Sequence, residues 1–262
     1  PLVLEGHRLY LRRAWQAEQT IKQNLRERLQ QSLYSPAGLQ DQLDVLFGAT
    51  GAQTDWQRQA CAHAAQHAVT LITGGPGTGK TTTVVKLLQL LQANAAAPLR
   101  VALAAPTGKA AARLSQTMAQ ARSRLPAEQA VALAGQAQTL HRWLLALKAE
   151  QAAGKTADVV VIDEASMIDL EMMARLLQAV PAQAHLVLLG DKDQLASVEA
   201  GAVMAQLCES PSLRGATASR KSSTVFSPMP RGGTLMIRSY EMRSLSLRST
   251  RSHASASFTS RR

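Results

Sequence analysis

Val69-Thr-Leu-Ile-Thr-Gly-Gly-Pro-Gly-Thr-Gly-Lys80-Thr-Thr-Thr-Val84 is the stretch that decides the fold. Val69 to Thr73 is a short apolar and β-branched run and reads as a strand, while the residues after Lys80 carry the apolar pattern of an amphipathic helix. Between them, glycines at 74, 75, 77 and 79 let the chain turn its N–H groups inward. Gly74 to Thr81 has the spacing G-x-x-x-x-G-K-[ST], which cradles phosphate oxygens at a helix N-terminus. Lys80 can reach β- and γ-phosphates, and the Thr81 hydroxyl suits Mg²⁺. A glycine-rich turn arising by chance would not be flanked by a strand and a helix.

Working outward, further apolar runs at Arg100–Ala105, Val159–Ile162 and His185–Leu189 are separated by helix-period segments. Strand–helix alternation around this loop predicts an α/β fold with a parallel sheet, a P-loop NTPase domain. One helix is well marked: Asp169 can cap it, Met172, Met173, Leu176, Leu177 and Val180 share a face, and Pro181 ends it. Upstream, Leu2–Phe47 reads as a strand or two followed by helix around Ala14–Leu33, with Ile21, Leu25 and Leu29 every fourth residue. Gly48–Gly51 punctuates the chain, and Asp55 can cap a helix running to His67. The expected division is a small N-terminal α/β remnant over residues 1–50, a phosphate-loop domain over 51–209, and a tail over 210–262.

Composition limits the classes. In 262 residues, 46% hydrophobic and 18% charged, no apolar run approaches the length a membrane helix needs, so no membrane association is expected. Cys61 and Cys208 cannot form a disulfide framework, and with no secretory segment in view the expected compartment is the cytoplasm. The net charge of +11 misleads, because the tail holds ten Lys or Arg against one acid, Glu241, leaving 19 basic and 17 acidic groups in the body. With 14 Ser and 9 Arg among its 53 residues, the tail has little apolar periodicity and is expected to pack poorly. It is either a disordered nucleic-acid-binding segment or an aberrant, out-of-frame continuation.

An NTPase needs acids for its metal and its water. Asp158-Val-Val-Val-Ile-Asp163-Glu164 puts two at the end of a strand, Asp163 for Mg²⁺ and Glu164 for the attacking water. Acids after a strand otherwise just favour a helix N-terminus. The strand at Leu189 runs into Gly190-Asp-Lys-Asp-Gln194, where Gln194 can sense the γ-phosphate. Thr107 and Lys109, where a strand feeds a helix, either hold a nucleic-acid phosphate or serve as a cap and a solvated charge.

Taken together, Gln57-Arg-Gln-Ala60, the loop Gly74–Thr83, Ala105–Leu114, Thr139-Leu-His141, Val161-Ile-Asp-Glu-Ala-Ser-Met167 and Leu189–Gly201 resemble the superfamily 1 helicases. The resemblance covers roughly residues 1–209 and implies a partner-binding role for 1–50 and a RecA-like ATP-binding domain over 51–209. It implies an ATP- and Mg²⁺-dependent motor moving 5′ to 3′ on single-stranded DNA, within a heterotrimeric helicase–nuclease that acts in double-strand break repair and recombination. By that pattern the catalytic residues are Lys80, Asp163, Glu164 and Gln194, and the metal residues are Thr81 and Asp163. The nucleotide is held by Gln57, Gly74, Gly75, Pro76, Gly77, Thr78, Gly79, Lys80, Thr81 and Thr82, with Gln57 on the adenine. Thr107, Lys109 and His141 lie along the DNA. Each has a plainer alternative: Gln57 as one more surface Gln, His141 as helix surface, and Trp143 beside it as core.

Such a motor also needs a second RecA-like domain that supplies an arginine, and the sequence shows none of that domain's motifs. The expectation is an incomplete chain with impaired turnover and no unwinding alone, and the alternative is a non-catalytic module that binds nucleotide or a partner. Beyond Asp163 and Glu164 no carboxylate cluster suggests a nuclease, so any exonuclease activity is expected in a partner. Aromatic content of 3% argues against a base-stacking platform, leaving phosphate contacts as the grip on DNA.

Overall fold

The computed structural model describes residues 2–30, 38–48, 55–75, 77–126, 130, 133, 135–152, 154–191, 203–209 and 236–238. The chain opens with an antiparallel hairpin, β1 (Leu2–Glu5) and β2 (Arg8–Leu11), that pairs Leu2 with Leu11 and Leu4 with Leu9. Three helices follow: α1 (Arg12–Gln30), α2 (Leu39–Phe47) and α3 (Trp56–Gln66). Asp55 caps α3 as its position suggests, its carboxylate accepting from the N–H groups of Gln57 at 2.9 Å and Arg58 at 3.1 Å.

The body is a parallel sheet of β3 (Val69–Thr73), β4 (Val101–Ala105), β5 (Gln138–Thr139), β6 (Val159–Ile162) and β7 (His185–Gly190). Across the sheet the order is β5-β4-β6-β7-β3. Helices α4 (Lys80–Ala93), α5 (Gly108–Arg122), α6 (Leu140–Ala152) and α7 (Leu170–Ala179) follow β3, β4, β5 and β6, and a shorter α8 (Val203–Glu209) follows β7. Because α4 to α7 each start where a strand has ended, their N-termini gather along the carboxyl rim of the sheet, where ligands bind in open α/β folds.

Strand side chains alternate between two cores. In β6, Val160 and Ile162 pack with α1, α6, α7 and α8, whereas Val159 and Val161 pack with α2, α3, α4 and α5. The N-terminal elements share these cores with the sheet. Ile21 and Leu25 of α1 join one, and Leu39 and Leu43 of α2 join the other. Two polar ties reinforce them. The buried Arg28 donates to the carbonyls of Leu177, Val180 and Pro181 at the end of α7, and Arg58 meets Asp44 of α2 at 2.6 Å. Met172, Met173 and Trp143 are buried, which settles them as core. Both cysteines are buried and neither is in a disulfide, and burial pushes the Cys61 thiol up to about 12.

Two features depart from the sequence reading. β5 is two residues long and has no apolar run to announce it; it exists because Gln138 and Thr139 pair with Ala104 and Ala105 at the free edge of β4. In the tail, where poor packing was expected, Met236–Arg238 forms β8, antiparallel to β3 with Ile72 opposite Ile237. The outer edge of β3 offers unpaired N–H and C=O groups that favour such pairing. The other residues of 210–262 lie outside the described residues.

Candidate active site

At the carboxyl end of β3 the chain is tied across the sheet, Gly74 N–H donating to the Gly190 carbonyl at 3.2 Å. The Thr78 hydroxyl donates to the Gly75 carbonyl at 2.9 Å and closes the loop on itself. Gly77 at φ 77° and Gly79 at φ 81° occupy left-handed backbone, which a side chain would strain. Thr83 then starts the helix, its N–H and hydroxyl both donating to the Gly79 carbonyl at 2.9 and 3.0 Å. The Lys80 ammonium lies over the loop and donates to the carbonyls of Gly74 and, at 3.0 Å, of Gly75. Thr81 is half-buried beside it and Thr82 is exposed, while Pro76 lies outside the described residues.

Gln57 approaches this loop from α3. Its side-chain amide lies so close to Gly79 that a Cβ on that glycine would collide with it. Gly79 is required for its φ, whereas the Gln57 amide, the end of a flexible side chain, could swing away from a Cβ. Gln57 thus sets a polar group against the phosphate-type loop.

Across the rim, β6 delivers the two acids. Asp163 N–H donates to the Ala104 carbonyl at 2.9 Å, and its own carboxylate accepts from Glu164 N–H at 2.9 Å. Burial pushes the Asp163 carboxyl above its usual range. The Glu164 N–H and the nearby charges of Lys80 and Arg113 pull it back towards the ionised form. A carboxylate held in this balance, near the Lys80 ammonium, fits a divalent cation carried by a polyphosphate. The donor set fits Mg²⁺ and ATP: N–H groups and Lys80 for the phosphates, Thr81 and Asp163 for the metal.

Glu164 has the single positive φ found at a non-glycine among the described residues, 52° with ψ 37°. Left-handed backbone costs an L-residue about 1–2 kcal/mol. The chain leaves it through a tight turn at Ala165–Met167. Strain of this kind concentrates at functional sites. Beyond β7, Gly190 lies against Ser166 and Met204, and a Cβ there would collide with the Met204 sulfur. Gln194 lies outside the described residues.

The candidate DNA residues stand on the same rim but over β4 and β5. Thr107 caps α5, its hydroxyl oxygen accepting from Ala110 N–H at 3.2 Å, which leaves the hydroxyl proton free to donate. Lys109 and His141 are exposed at the starts of α5 and α6. The structure thus brings Gln57, Lys80 and Asp163 together at one loop, with Thr81 next to Lys80 and Glu164 next to Asp163 in the chain, and places Thr107, Lys109 and His141 over β4 and β5 on the same rim. Arg113 was missed as a site residue, although it sits in the Ala105–Leu114 run; nothing in the spacing says that its charge reaches Asp163.

Comparison with known proteins agrees with this geometry. The AAA domain family model matches residues 57–200. The RecBCD enzyme subunit RecD of Mycolicibacterium smegmatis is 45% identical over 227 residues, covering 82% of this chain and 40% of that protein. The RecBCD enzyme subunit RecD of Haemophilus influenzae is 40% identical over 225 residues, 80% of this chain and 35% of that protein. The ATP-dependent RecD2 DNA helicase of Deinococcus radiodurans is 32% identical over 206 residues, 77% of this chain and 26% of that protein. This chain thus spans 40% or less of the length of these curated relatives. With its P-loop, its paired acids and this match over more than half its length, the chain belongs to the AAA domain family and is RecD-like within it.

Proposed function

We propose that this chain is the ATP-binding part of a RecD-like subunit, a superfamily 1 motor that moves 5′ to 3′ on single-stranded DNA. Its partners in that reading are RecB- and RecC-like subunits, the heterotrimer being the cytoplasmic exodeoxyribonuclease V of double-strand break repair and recombination. The observation that carries it is the meeting of Gln57, Lys80 and Asp163 at one loop, with Glu164 next to Asp163 in the chain and Thr107, Lys109 and His141 along the same rim.

Each residue has a task in that reading. The loop N–H groups and Lys80 hold the phosphates, Gln57 faces the adenine, Thr81 and Asp163 hold Mg²⁺, Glu164 orients a water, and Gln194 senses the γ-phosphate. Mg²⁺, when bound, neutralises charge on the transferred phosphoryl group. The partly buried acids and the loop keep that charge in a site of low dielectric, where placement counts most. An arginine supplied from a second domain is worth about 10³–10⁵ in rate, so turnover by these 262 residues is expected to be slow even with nucleotide bound. Any cutting of DNA belongs to a partner.

The test is nucleotide binding and hydrolysis by the purified chain, with and without single-stranded DNA. Nucleotide binding with slow, DNA-stimulated turnover is expected. Brisk hydrolysis indifferent to DNA would instead indicate a stand-alone NTPase. Lys80→Ala should abolish nucleotide binding without lowering the melting temperature, and unchanged affinity in that variant would overturn the site.

A further inference from the structure

We propose that the cleft between the start of α1 and the first turns of α6 and α7 holds one nucleotide unit of single-stranded DNA, extending the DNA path from His141 to Arg175. This rests on the DNA-motor reading above. The cleft encloses about 470 Å³, within the range of small-molecule sites, and is lined by Leu11, Arg13, His141, Leu170, Met172 and Arg175, with Ala14, Asp169 and Glu171 completing the wall. It opens on the carboxyl rim, because α6 and α7 both start there and α1 is fastened alongside α7 at each end. Arg13 meets Glu171 at one end at 3.3 Å, and Arg28 meets the last carbonyls of α7 at the other.

The charges in the cleft are unequally committed. Glu171 is paired with Arg13, and the Asp169 carboxylate accepts from Met172 N–H at 2.7 Å as the α7 cap. Arg175 and His141 are exposed and make no hydrogen bond or ion pair with the described residues. The cleft therefore has two unengaged donors on its rim and an apolar floor of Leu170 and Met172, with the exposed Leu11 beside it. A guanidinium fork takes two phosphate oxygens and an imidazole N–H a third, while the floor covers a sugar or base edge. No Phe, Tyr or Trp lines the cleft, so the contact is to phosphate and indifferent to base identity.

The experiment is fluorescence anisotropy of a labelled oligo-dT with the full chain across a salt series, comparing wild type, Arg175→Ala, Arg175→Lys and Lys109→Ala. Arg175 is exposed, so melting temperature serves as the fold control. Arg175→Ala should weaken binding about tenfold and reduce the slope of log K against log salt by about 0.7, one phosphate's share on a single strand. Arg175→Lys should keep the slope and lose part of the affinity, since the charge remains and the fork does not. Photo-crosslinking of 4-thio-dT should label a peptide containing His141 or Arg175. If Lys109→Ala weakens binding while Arg175→Ala changes neither affinity nor slope, the cleft is not on the DNA path and the motor reading stands. If wild type binds no oligonucleotide at low salt, both fall.

Discussion

Glu164 shows at the scale of one residue how the site trades stability for placement. Its carboxylate follows a buried strand, and the chain reaches the turn at Ala165–Met167 only by taking φ 52° at Glu164. Glycine takes that conformation without penalty, so Glu164→Gly should stabilise the fold by about 1 kcal/mol, read as a higher urea midpoint. Glu164→Gln keeps the Cβ and with it the strain, and should leave stability within about 0.5 kcal/mol of wild type. Both variants should bind nucleotide and lose turnover. A stability loss in Glu164→Gly would mean that the carboxylate itself supports the turn. Asp163 carries a related cost, since burial opposes its ionised form and the fold answers with the Glu164 N–H and the charges of Lys80 and Arg113. Gly79 shows what sequence can and cannot say at this scale. Its membership in the phosphate loop is legible from spacing, but the approach of the Gln57 amide to it depends on where α3 packs.

Among the elements, α1 is joined to α7 by one side chain more than by any other polar contact. Arg28 is 3% exposed and donates to carbonyls of Leu177, Val180 and Pro181, the orphan acceptors at a helix C-terminus, where a cation is also favoured by the helix dipole. Arg28→Met preserves much of the stem's packing and leaves those carbonyls without a donor. It should cost about 2–3 kcal/mol in urea denaturation, and a loss under about 0.5 kcal/mol would show that water replaces the guanidinium. Sequence periodicity found α1 from Ile21, Leu25 and Leu29 but could not name what that face covers, because the covering residues come from the sheet and from α7, the latter more than a hundred positions away. The central strands were legible for the opposite reason: β3, β6 and β7 are buried on both faces, so each is a continuous apolar run. β5, with Gln138 and Thr139, borrows its strand character from β4 and has no pattern of its own. The caps Asp55 and Asp169 were readable because capping is local chemistry. Thr107 is readable both ways, since a hydroxyl that accepts from Ala110 N–H still has a proton to give.

For the molecule as a whole, the two rims of the sheet answer pH differently. The carboxyl rim carries the phosphate loop. At the opposite rim β7 begins with His185, whose ring Nδ1 lies 3.2 Å from the Ala64 carbonyl, close to the stacked pair of His63 and His67 with ring centroids 5.0 Å apart. The His63 Nδ1 is buried with no hydrogen-bond partner among the described residues. Burial holds the imidazoles of His63 and His185 below their ordinary value, and for His63 the neighbouring His67 pushes the same way. A histidine whose folded pKa lies below that of the unfolded chain, about 6.5, makes the unfolded state the stronger proton binder between the two values. Stability therefore rises with pH in that window. The contribution is complete above about 6.5 and is lost as pH falls through the folded pKa values. Asp163 works in the other sense: its raised folded pKa makes the folded state the stronger proton binder, and that small gain is lost as pH rises from about 4 through the folded value. The imidazoles govern the range between neutrality and mild acid. Melting temperature measured from pH 8 to 5 should be flat above about 7 and fall below it. Replacing His63 with Gln, which cannot ionise, should flatten the acid limb. An unchanged limb in both the His63→Gln and His185→Gln variants would place the acid sensitivity elsewhere in the fold. Neither imidazole lies on the rim that holds the phosphate loop, so nucleotide affinity at pH 6, measured below the melting temperature, should not change with these substitutions.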